Sequence, residues 1–250
     1  MFPTFVKSLS IAGLVTLPDA PWGQGPREAI TWAAKMGYRA IQIDASVPGI
    51  RPRELDRSAR RDVASLLRRL QLAFSGVDLW IPSGHFADLA HAGRATEAVL
   101  QAADFAADIA RLNADSFAVV SIALGPNTPM TVIAELARAA DRDGVSIADH
   151  RWPSEKEGEL ALPRGVDPAA ILMGGGDPAA EVSRGAAIPA AARLSDANAV
   201  GRVAAGEGRL DVLAYEVALA TRGYGGAIVV DLRGVRDQAE GAKTLAPEQV

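Results

Sequence analysis

The sequence predicts a single (β/α)8 barrel over residues 1–250, and three observations lead to that prediction. Apolar runs with β propensity alternate with amphipathic helical runs along the whole chain. Several of these runs are apolar at nearly every position, which is typical of parallel strands covered on both faces. Eight such units fit a chain of 250 residues, the usual length of this barrel, and favour it over an open doubly wound sheet.

The first four units have clear boundaries. Pro26 stands at a helix-entry position, where its missing N–H costs little, and Gly37 ends the helix that follows. In the second helix, leucine and valine recur every three or four residues opposite a charged face. The predicted elements are, in chain order, a strand at 6–15, a helix at 27–36, a strand at 38–45, a helix at 54–70, a strand at 72–81, a helix at 96–112, a strand at 115–124 and a helix at 131–143.

The fifth to seventh units are predicted to be irregular. Asp177 is a suitable cap for the sixth helix, whereas Pro189 interrupts a weak seventh strand. The predicted elements are a strand at 145–149, a polar loop at 151–165, a strand at 169–174, a helix at 177–184, a strand at 187–194, a helix at 211–222, a strand at 226–232 and a polar tail from 234.

Composition excludes several classes of function. The chain has no cysteine, so disulfides, thiolate nucleophiles and cysteine-based metal sites are excluded. The net charge is −4 and the basic residues are scattered, which gives no reason to expect a nucleic-acid partner. No run of 18 apolar residues and no signal-peptide pattern are present, so we expect no membrane span and a cytoplasmic protein.

Polar residues at strand ends are the candidates for a site, because the carboxyl ends of the strands form the active face of such barrels. Trp80 could line a sugar site or simply pack, and His85 could face a substrate or lie beside Phe86 in a loop. Gly174 to Gly176 could hold an anion, although the run lacks the lysine of a P-loop. The strand-end candidates are Asp44, Asp78, His85, Asp149, His150, Arg193, Asp196 and Asp231.

Four segments resemble the xylose isomerase-like barrels, which include sugar-phosphate isomerases, ketose 3-epimerases and inosose-type dehydratases. They are a helix–Gly–strand segment at 33–43, a central helix at 95–112, a segment at 193–211 and the approach to the last strand at 223–231. The third segment reads Arg193-Leu194-Ser195-Asp196 and continues through Arg202 to a Gly-x-Gly-x-x-Asp helix entry. Together they imply a sugar isomerase or epimerase fold over nearly the whole chain.

The resemblance also implies one divalent metal, Mn²⁺ or Mg²⁺, held by Glu, Asp, His and Glu from the last four strands. Here Asp149 and Asp231 stand in for the two glutamates, a glycine near position 174 replaces the aspartate, and Arg193 replaces the histidine. Arginine cannot deprotonate to bind a metal. A metal on Asp149 and Asp231 is therefore disfavoured, and Arg193 is expected to form an ion pair between them or to bind an anionic group.

Two functions remain open. In the first, an isomerase or epimerase acts on a small sugar or polyol, which could be anionic, with Asp149 and Asp231 as acid and base or as residual metal ligands. Glu155, six residues beyond Asp149, has the spacing of a second acid in ketose epimerases but also suits a solvated loop. The predicted substrate-binding residues are Trp80, His85, His150, Arg193, Asp196 and Arg202.

The second function is a non-catalytic barrel that binds a ligand or a partner. Under this hypothesis, Asp196 and Arg202 form an ion pair that stabilises a loop. Barrels of the family often pair, so a homodimer is a further expectation.

Overall fold

Parallel strands form the wall of a barrel in the computed structural model, which describes residues 5–14, 19–114, 116–153 and 161–247. The strands are β1 (Lys7–Ser10), β2 (Ala40–Asp44), β3 (Ala73–Asp78), β4 (Val119–Ile122), β5 (Ser146–Asp149), β6 (Gly165–Val166), β7 (Ala191–Leu194), β8 (Asp196–Ala197), β9 (Arg202–Val203) and β10 (Ile228–Val230). Eight of them pair in parallel in the order β5-β4-β3-β2-β1-β10-β7-β6. A parallel bridge from Asp149 to Arg164 joins the two outer strands, and the predicted (β/α)8 barrel is confirmed.

Helices connect the barrel strands. They are α1 (Pro26–Lys35), α2 (Arg57–Arg69), α3 (Ala92–Leu112), α4 (Met130–Asp143), α5 (Pro168–Met173), α6 (Pro178–Arg184), α7 (Val212–Thr221) and α8 (Gln238–Leu245). Asp177 caps α6 as predicted, because its carboxylate accepts from the amides of Ala179 and Ala180. Among the residues described, no helix combines the length and the apolar character that crossing a membrane requires.

The predicted sixth strand at 169–174 is wrong. That apolar run is helix α5, with Pro168 at its first position, where a fixed φ suits a helix start. The sixth strand is instead the pair Gly165–Val166, which begins at the last residue of the segment predicted to be a polar loop. Two residues are too few to give a periodic pattern, so the sequence carries no strand signal there.

The predicted polar tail is also wrong. Residues 238–245 form α8. Asp237 caps this helix, because its carboxylate accepts a hydrogen bond from the amide of Glu240. Ala242 is buried, and its carbonyl accepts a 2.7 Å hydrogen bond from the hydroxyl of Tyr38. The helix therefore belongs to the packed structure.

Polar side chains line the inside of the barrel. The hydroxyls of Ser8 and Ser75 lie 2.6 Å apart, and Gln42 Nε2 donates to Ser121 Oγ at 3.1 Å. Each of these pairs joins strands that another strand separates, so the contacts cross the interior. The alternate positions, such as Leu9 and Ile41, are apolar and face the helix layer.

Candidate functional site

Six charged side chains meet at the carboxyl ends of the strands, and we call them the Asp–Arg network. Asp78 ends β3, Arg193 lies in β7 and Asp231 follows β10. Asp167 follows β6, Arg202 lies in β9 and Arg233 comes two residues after Asp231. The members of the Asp–Arg network are Asp78, Asp167, Arg193, Arg202, Asp231 and Arg233.

Arg193 is the centre of the network. It is only 1% exposed, its Nη2 donates to Asp78, and its Nη1 lies 3.3 Å from Asp231 Oδ2. Its guanidinium carbon also lies 4.8 Å from the ring centroid of Trp80. Burial opposes the positive charge, but Asp78, Asp231 and Asp167 outweigh it and raise the pKa of Arg193 above its usual value. Arg193 is therefore a permanent cation inside the barrel.

Two further arginines hold the other carboxylates. Arg202 donates to Asp167 Oδ2 at 3.0 Å and to Asp231 Oδ2 at 2.9 Å. Arg233 Nε donates to Asp231 Oδ1 at 2.9 Å, and its guanidinium carbon lies 3.4 Å from the Trp80 ring centroid. Burial of Asp231 would raise its pKa, but the three arginines more than offset it and hold that pKa well below its usual range. Asp231 is consequently ionised and a weak base.

Asp149 belongs to a separate cluster. Arg151 Nε donates to its carboxylate, and the amides of Leu124 and Arg151 each donate to Asp149 Oδ1 at 3.0 Å. Arg193 forms ion pairs with Asp78 and Asp231, so the expectation that it pairs with Asp149 and Asp231 is wrong for Asp149. The barrel register decides this, because it brings the end of β3 to face β7 across the interior.

His150 is buried beside this cluster. Its Nε2 lies 3.1 Å from Ser121 Oγ, and its Nδ1 has no hydrogen-bond partner among the described residues. Burial, reinforced by the charge of Arg193, lowers the pKa of His150 well below its usual value and keeps the ring neutral. A cavity of about 10 Å³ lies between His150 and Asp167, which is room for no more than about one water molecule.

Comparison with solved structures finds the same fold in several proteins of low sequence identity. A xylose isomerase domain protein from Planctomyces limnophilus matches with a TM-score of 0.72 and 16% identity, covering 98% of this chain and 94% of that chain. This chain has the xylose isomerase-like barrel fold. A D-tagatose 3-epimerase-like protein matches with a TM-score of 0.69, 16% identity and coverage of 96% and 95%.

A probable 3-DHS dehydratase from Bacillus anthracis shares the xylose isomerase-like fold with a TM-score of 0.65 and 11% identity, covering 95% of this chain and 96% of that chain. No protein-family model matches the sequence, and no curated protein matches it. The shared feature is therefore the fold.

The donor set does not fit the divalent metal that the resemblance implies. Arginines bind the carboxylates at the ends of β5, β6 and β10, which are Asp149, Asp167 and Asp231, and Arg193 occupies the position in β7. The expectation that a glycine near position 174 replaces the sixth-strand aspartate is wrong, because Asp167 follows β6. Within the ranges that the structure describes, no group of three His, Cys, Asp or Glu side chains could hold a metal ion. Guanidinium groups provide the positive charge in this xylose isomerase-like barrel.

The remaining predicted residues lie in different surroundings. Trp80 joins the network, since its Nε1 donates to Asp78 Oδ1 at 3.2 Å. His85 stacks on His91, with ring centroids 4.4 Å apart. Glu155 lies outside the described residues.

Asp196 is buried and satisfied by backbone amides. Its two carboxylate oxygens accept hydrogen bonds of 2.9 to 3.1 Å from the backbone amides of Gly206, Gly208, Arg209 and Leu210. The loop is thus held by hydrogen bonds to Asp196, while Arg202 binds Asp167 and Asp231. The expected ion pair between Asp196 and Arg202 is replaced by these contacts.

The glycine run at 174–176 makes room for an indole. A Cβ atom on Gly176 would lie 2.7 Å from the ring of Trp152, and one on Gly174 would meet its Nε1. The run is therefore explained by packing against Trp152, without an anion.

Three residues of the site escaped sequence reasoning. Asp167 was missed because β6 was placed too late, although its position before Pro168 marks a helix start. Arg151 and Arg233 were missed even though both stand in Asp-x-Arg, at 149–151 and 231–233, directly after a barrel strand. That repeated spacing is the signal that could have revealed two carboxylates paired with their own neighbours.

Proposed function

We propose that this chain is a non-catalytic xylose isomerase-like barrel that binds a small, uncharged polyol or sugar at the carboxyl end of its strands. The supporting observation is the buried guanidinium of Arg193 between Asp78 and Asp231. It puts a permanent cation and two ion pairs where the related fold would bind a metal. The proposed function therefore involves no metal ion.

The state of the carboxylates argues against acid–base catalysis by the network. A general base works best when its pKa lies near the working pH. The arginines lower the pKa of both Asp231 and Asp167 in spite of their burial. Both groups are ionised and already accept charged hydrogen bonds, which makes them poor proton acceptors.

The charge balance favours an uncharged ligand. The network contains three aspartates and three arginines, so its formal charge is zero. The side chains of Arg202 and Arg233 are each 19% exposed and present the accessible edge of the network. Their N–H groups suit hydroxyl oxygens. The sugar-related names of two structures with this fold agree with that ligand class.

A metal-free isomerase or epimerase is the second candidate, and Asp44 is the observation that favours it. Burial raises the pKa of Asp44 above its usual value, and the charge of Asp78 adds to the effect although hydrogen bonds from Ser46 oppose it. A carboxyl group that retains its proton more readily can act as a general acid. Turnover without added metal would distinguish this candidate from a binding protein.

Calorimetric titration with Mn²⁺ and Mg²⁺ tests the absence of a metal site. We expect no stoichiometric binding at up to about 1 mM metal, because the carboxylates are held by guanidinium groups. One Mn²⁺ per chain, lost on replacing Asp231 by Asn, would contradict the proposal. Asp62, an exposed residue of α2, provides a matched control as Asp62→Asn.

D-Tagatose serves as the probe for binding and turnover, and proton NMR in D2O reports both. We expect saturable binding and no exchange of the proton at C3, with or without Mn²⁺. Arg233→Lys should weaken binding, because lysine keeps the charge but loses the planar pair of donors. Exchange at C3 without metal would favour the second candidate, whereas tighter binding of the sugar's phosphate would contradict an uncharged ligand.

Two expectations from the sequence stay predictions. The cytoplasmic location and the homodimer have no test in the described structure. Leu213 and Val217 lie four residues apart on α7 and are 49% and 43% exposed, so they supply an apolar surface that a dimer would cover.

A further inference from the structure

A large cavity lies at the opposite end of the barrel from the Asp–Arg network. It has a volume of about 860 Å³, within the range of small-molecule sites. Ala40 and Ala73, at the first positions of β2 and β3, lie in its wall, and they pair with each other in the sheet. The cavity therefore opens at the amino ends of the strands.

Aromatic rings and a pair of hydroxyls shape this cavity. Phe5 packs on Tyr224 with ring centroids 6.0 Å apart, and Phe117 is 42% exposed in the wall. Ser75 reaches the cavity from inside the barrel, where its hydroxyl meets that of Ser8. Rings around a few polar groups are typical of ligand sites.

The charged side chains in the described lining of the cavity are all basic. Arg39 and Arg68 are the charged residues of its lining, and none of the lining residues described is acidic. Arg68 donates to the carbonyl of Leu112 at 2.8 Å, whereas the side chain of Arg39 forms no hydrogen bond or ion pair with the described residues. An anionic group at the rim would find a guanidinium able to bind both its oxygens.

We propose that this cavity binds a small apolar monocarboxylate, with its ring or chain against Phe5, Phe117 and Tyr224 and its carboxylate on Arg39. The apolar body gains by leaving water, and the carboxylate determines its orientation. The site is separate from the Asp–Arg network, so its existence does not depend on the function proposed above.

Calorimetric titration of the full chain with 2-naphthoate, alongside its uncharged amide, tests the proposal. We expect one saturable site for the acid and weaker binding of the amide. Arg39→Gln should weaken binding of the acid about tenfold, since it removes one charged pair, and should leave binding of the amide unchanged. Equal binding of acid and amide, or no binding of the acid, would overturn the proposal.

Gly225 offers a way to block the cavity. A Cβ atom at this lining residue meets no heavy atom within 4 Å, so Gly225→Phe has space to fill the cavity. We expect this variant to lose 2-naphthoate binding while its thermal unfolding remains cooperative. Gly93, near the start of α3, is equally unobstructed but outside the cavity, so Gly93→Phe should bind like the original chain.

Two further results would contradict the proposal that this cavity binds a small carboxylate. Unchanged binding by Gly225→Phe would place the ligand elsewhere and overturn the proposal. Residues 1–4 precede Phe5 and lie outside the described ranges. Binding that arises only after their removal would also overturn it, by showing that a free ligand does not occupy the cavity of the full chain.

Discussion

The two ends of the barrel differ in charge and in open volume. At the carboxyl ends of the strands, three arginines and three aspartates bind one another, and the neighbouring cavity measures about 10 Å³. At the amino ends, the lining has no acidic residue among those described, and the cavity measures about 860 Å³. Active sites of such barrels sit at the carboxyl ends. Here the paired charges lie at the carboxyl end, while a cavity of about 860 Å³ lies at the amino end.

The difference shows that acidic side chains gathered at the carboxyl ends of the strands can be occupied by ion pairs with one another's neighbours. Asp78, Asp167 and Asp231 stand where a substrate or metal would meet them, but their oxygens are already bound to guanidinium groups. A buried carboxylate needs such a partner, because an unpaired charge inside a protein is costly. The same contacts that stabilise these groups reduce their availability for chemistry.

Replacing Arg193 by Met should produce the largest effect among the substitutions that test this contrast. It leaves Asp78 buried with the Ser10 hydroxyl and the Trp80 indole as its described partners. Removing one member of a buried ion pair costs about 3–5 kcal/mol, so the free energy of unfolding in urea should fall by that amount. A loss below about 1 kcal/mol would mean that the carboxyl end does not depend on its ion pairs.

The exposed pair of Arg142 and Asp143 provides the control for this prediction. Its N–O distance is 2.9 Å, but the Arg142 side chain is 68% exposed. Water already solvates the guanidinium of Arg142, so Arg142→Met should leave the unfolding midpoint nearly unchanged.

Two alanine substitutions compare crowding at the two ends. A Cβ atom on Gly165 would lie 2.5 Å from the ring of His150, whereas one on Gly225 meets nothing within 4 Å. Gly165→Ala should therefore lower the free energy of unfolding by about 1–3 kcal/mol, and Gly225→Ala should change it by less than about 0.5 kcal/mol. Similar values for both variants would show that the carboxyl end has more freedom than its contacts indicate.

The smallest expected effect, and a stabilising one, comes from replacing Asp44 by Asn. Burial raises the pKa of Asp44 in the folded chain above the unfolded value of about 3.9. Ionised Asp44 thus destabilises the fold at pH 7, and this penalty disappears as the pH falls through the folded pKa. Asp44→Asn should unfold at higher urea concentration at pH 7, with a smaller difference near pH 4.

Two features of Asp44→Asn make it a clean comparison. An asparagine oxygen can still accept from the amide and hydroxyl of Ser46, which lie 2.8 and 2.6 Å from Asp44 Oδ1. Asp62→Asn, on the exposed side of α2, removes one carboxylate without this burial. If both variants were more stable than the original chain at every pH, the change in net charge would explain the effect, and the burial of Asp44 would not.

Sequence patterns predicted the barrel but only part of the network. The alternation of apolar and helical runs suffices for the fold, because both faces of each strand are covered. That Arg193 forms ion pairs also follows from sequence, since a permanent cation at a strand end requires a partner. The sequence does not reveal that Arg193 pairs with Asp78 and not with Asp149, because this depends on which strands face each other across the barrel.

Short elements account for the remaining errors. Strand β6 has two residues, and its neighbour Asp167 falls between the predicted loop at 151–165 and the predicted strand at 169–174. The tail at 238–245 has mixed polarity, and its helix depends on contacts such as that of Tyr38 with Ala242. These contacts join residues 204 positions apart, which no local pattern reveals.

The guanidinium of Arg193 has a consequence for the conditions under which the barrel stays intact. A bound metal exchanges with its surroundings, and a chelator or a shortage of the ion can remove it. The charge of Arg193 is covalently part of the chain and persists across the pH range in which proteins work. The positive charge that Arg193 supplies at the carboxyl end of this barrel therefore stays in place under conditions that would strip a bound ion, because the amino-acid sequence itself encodes it.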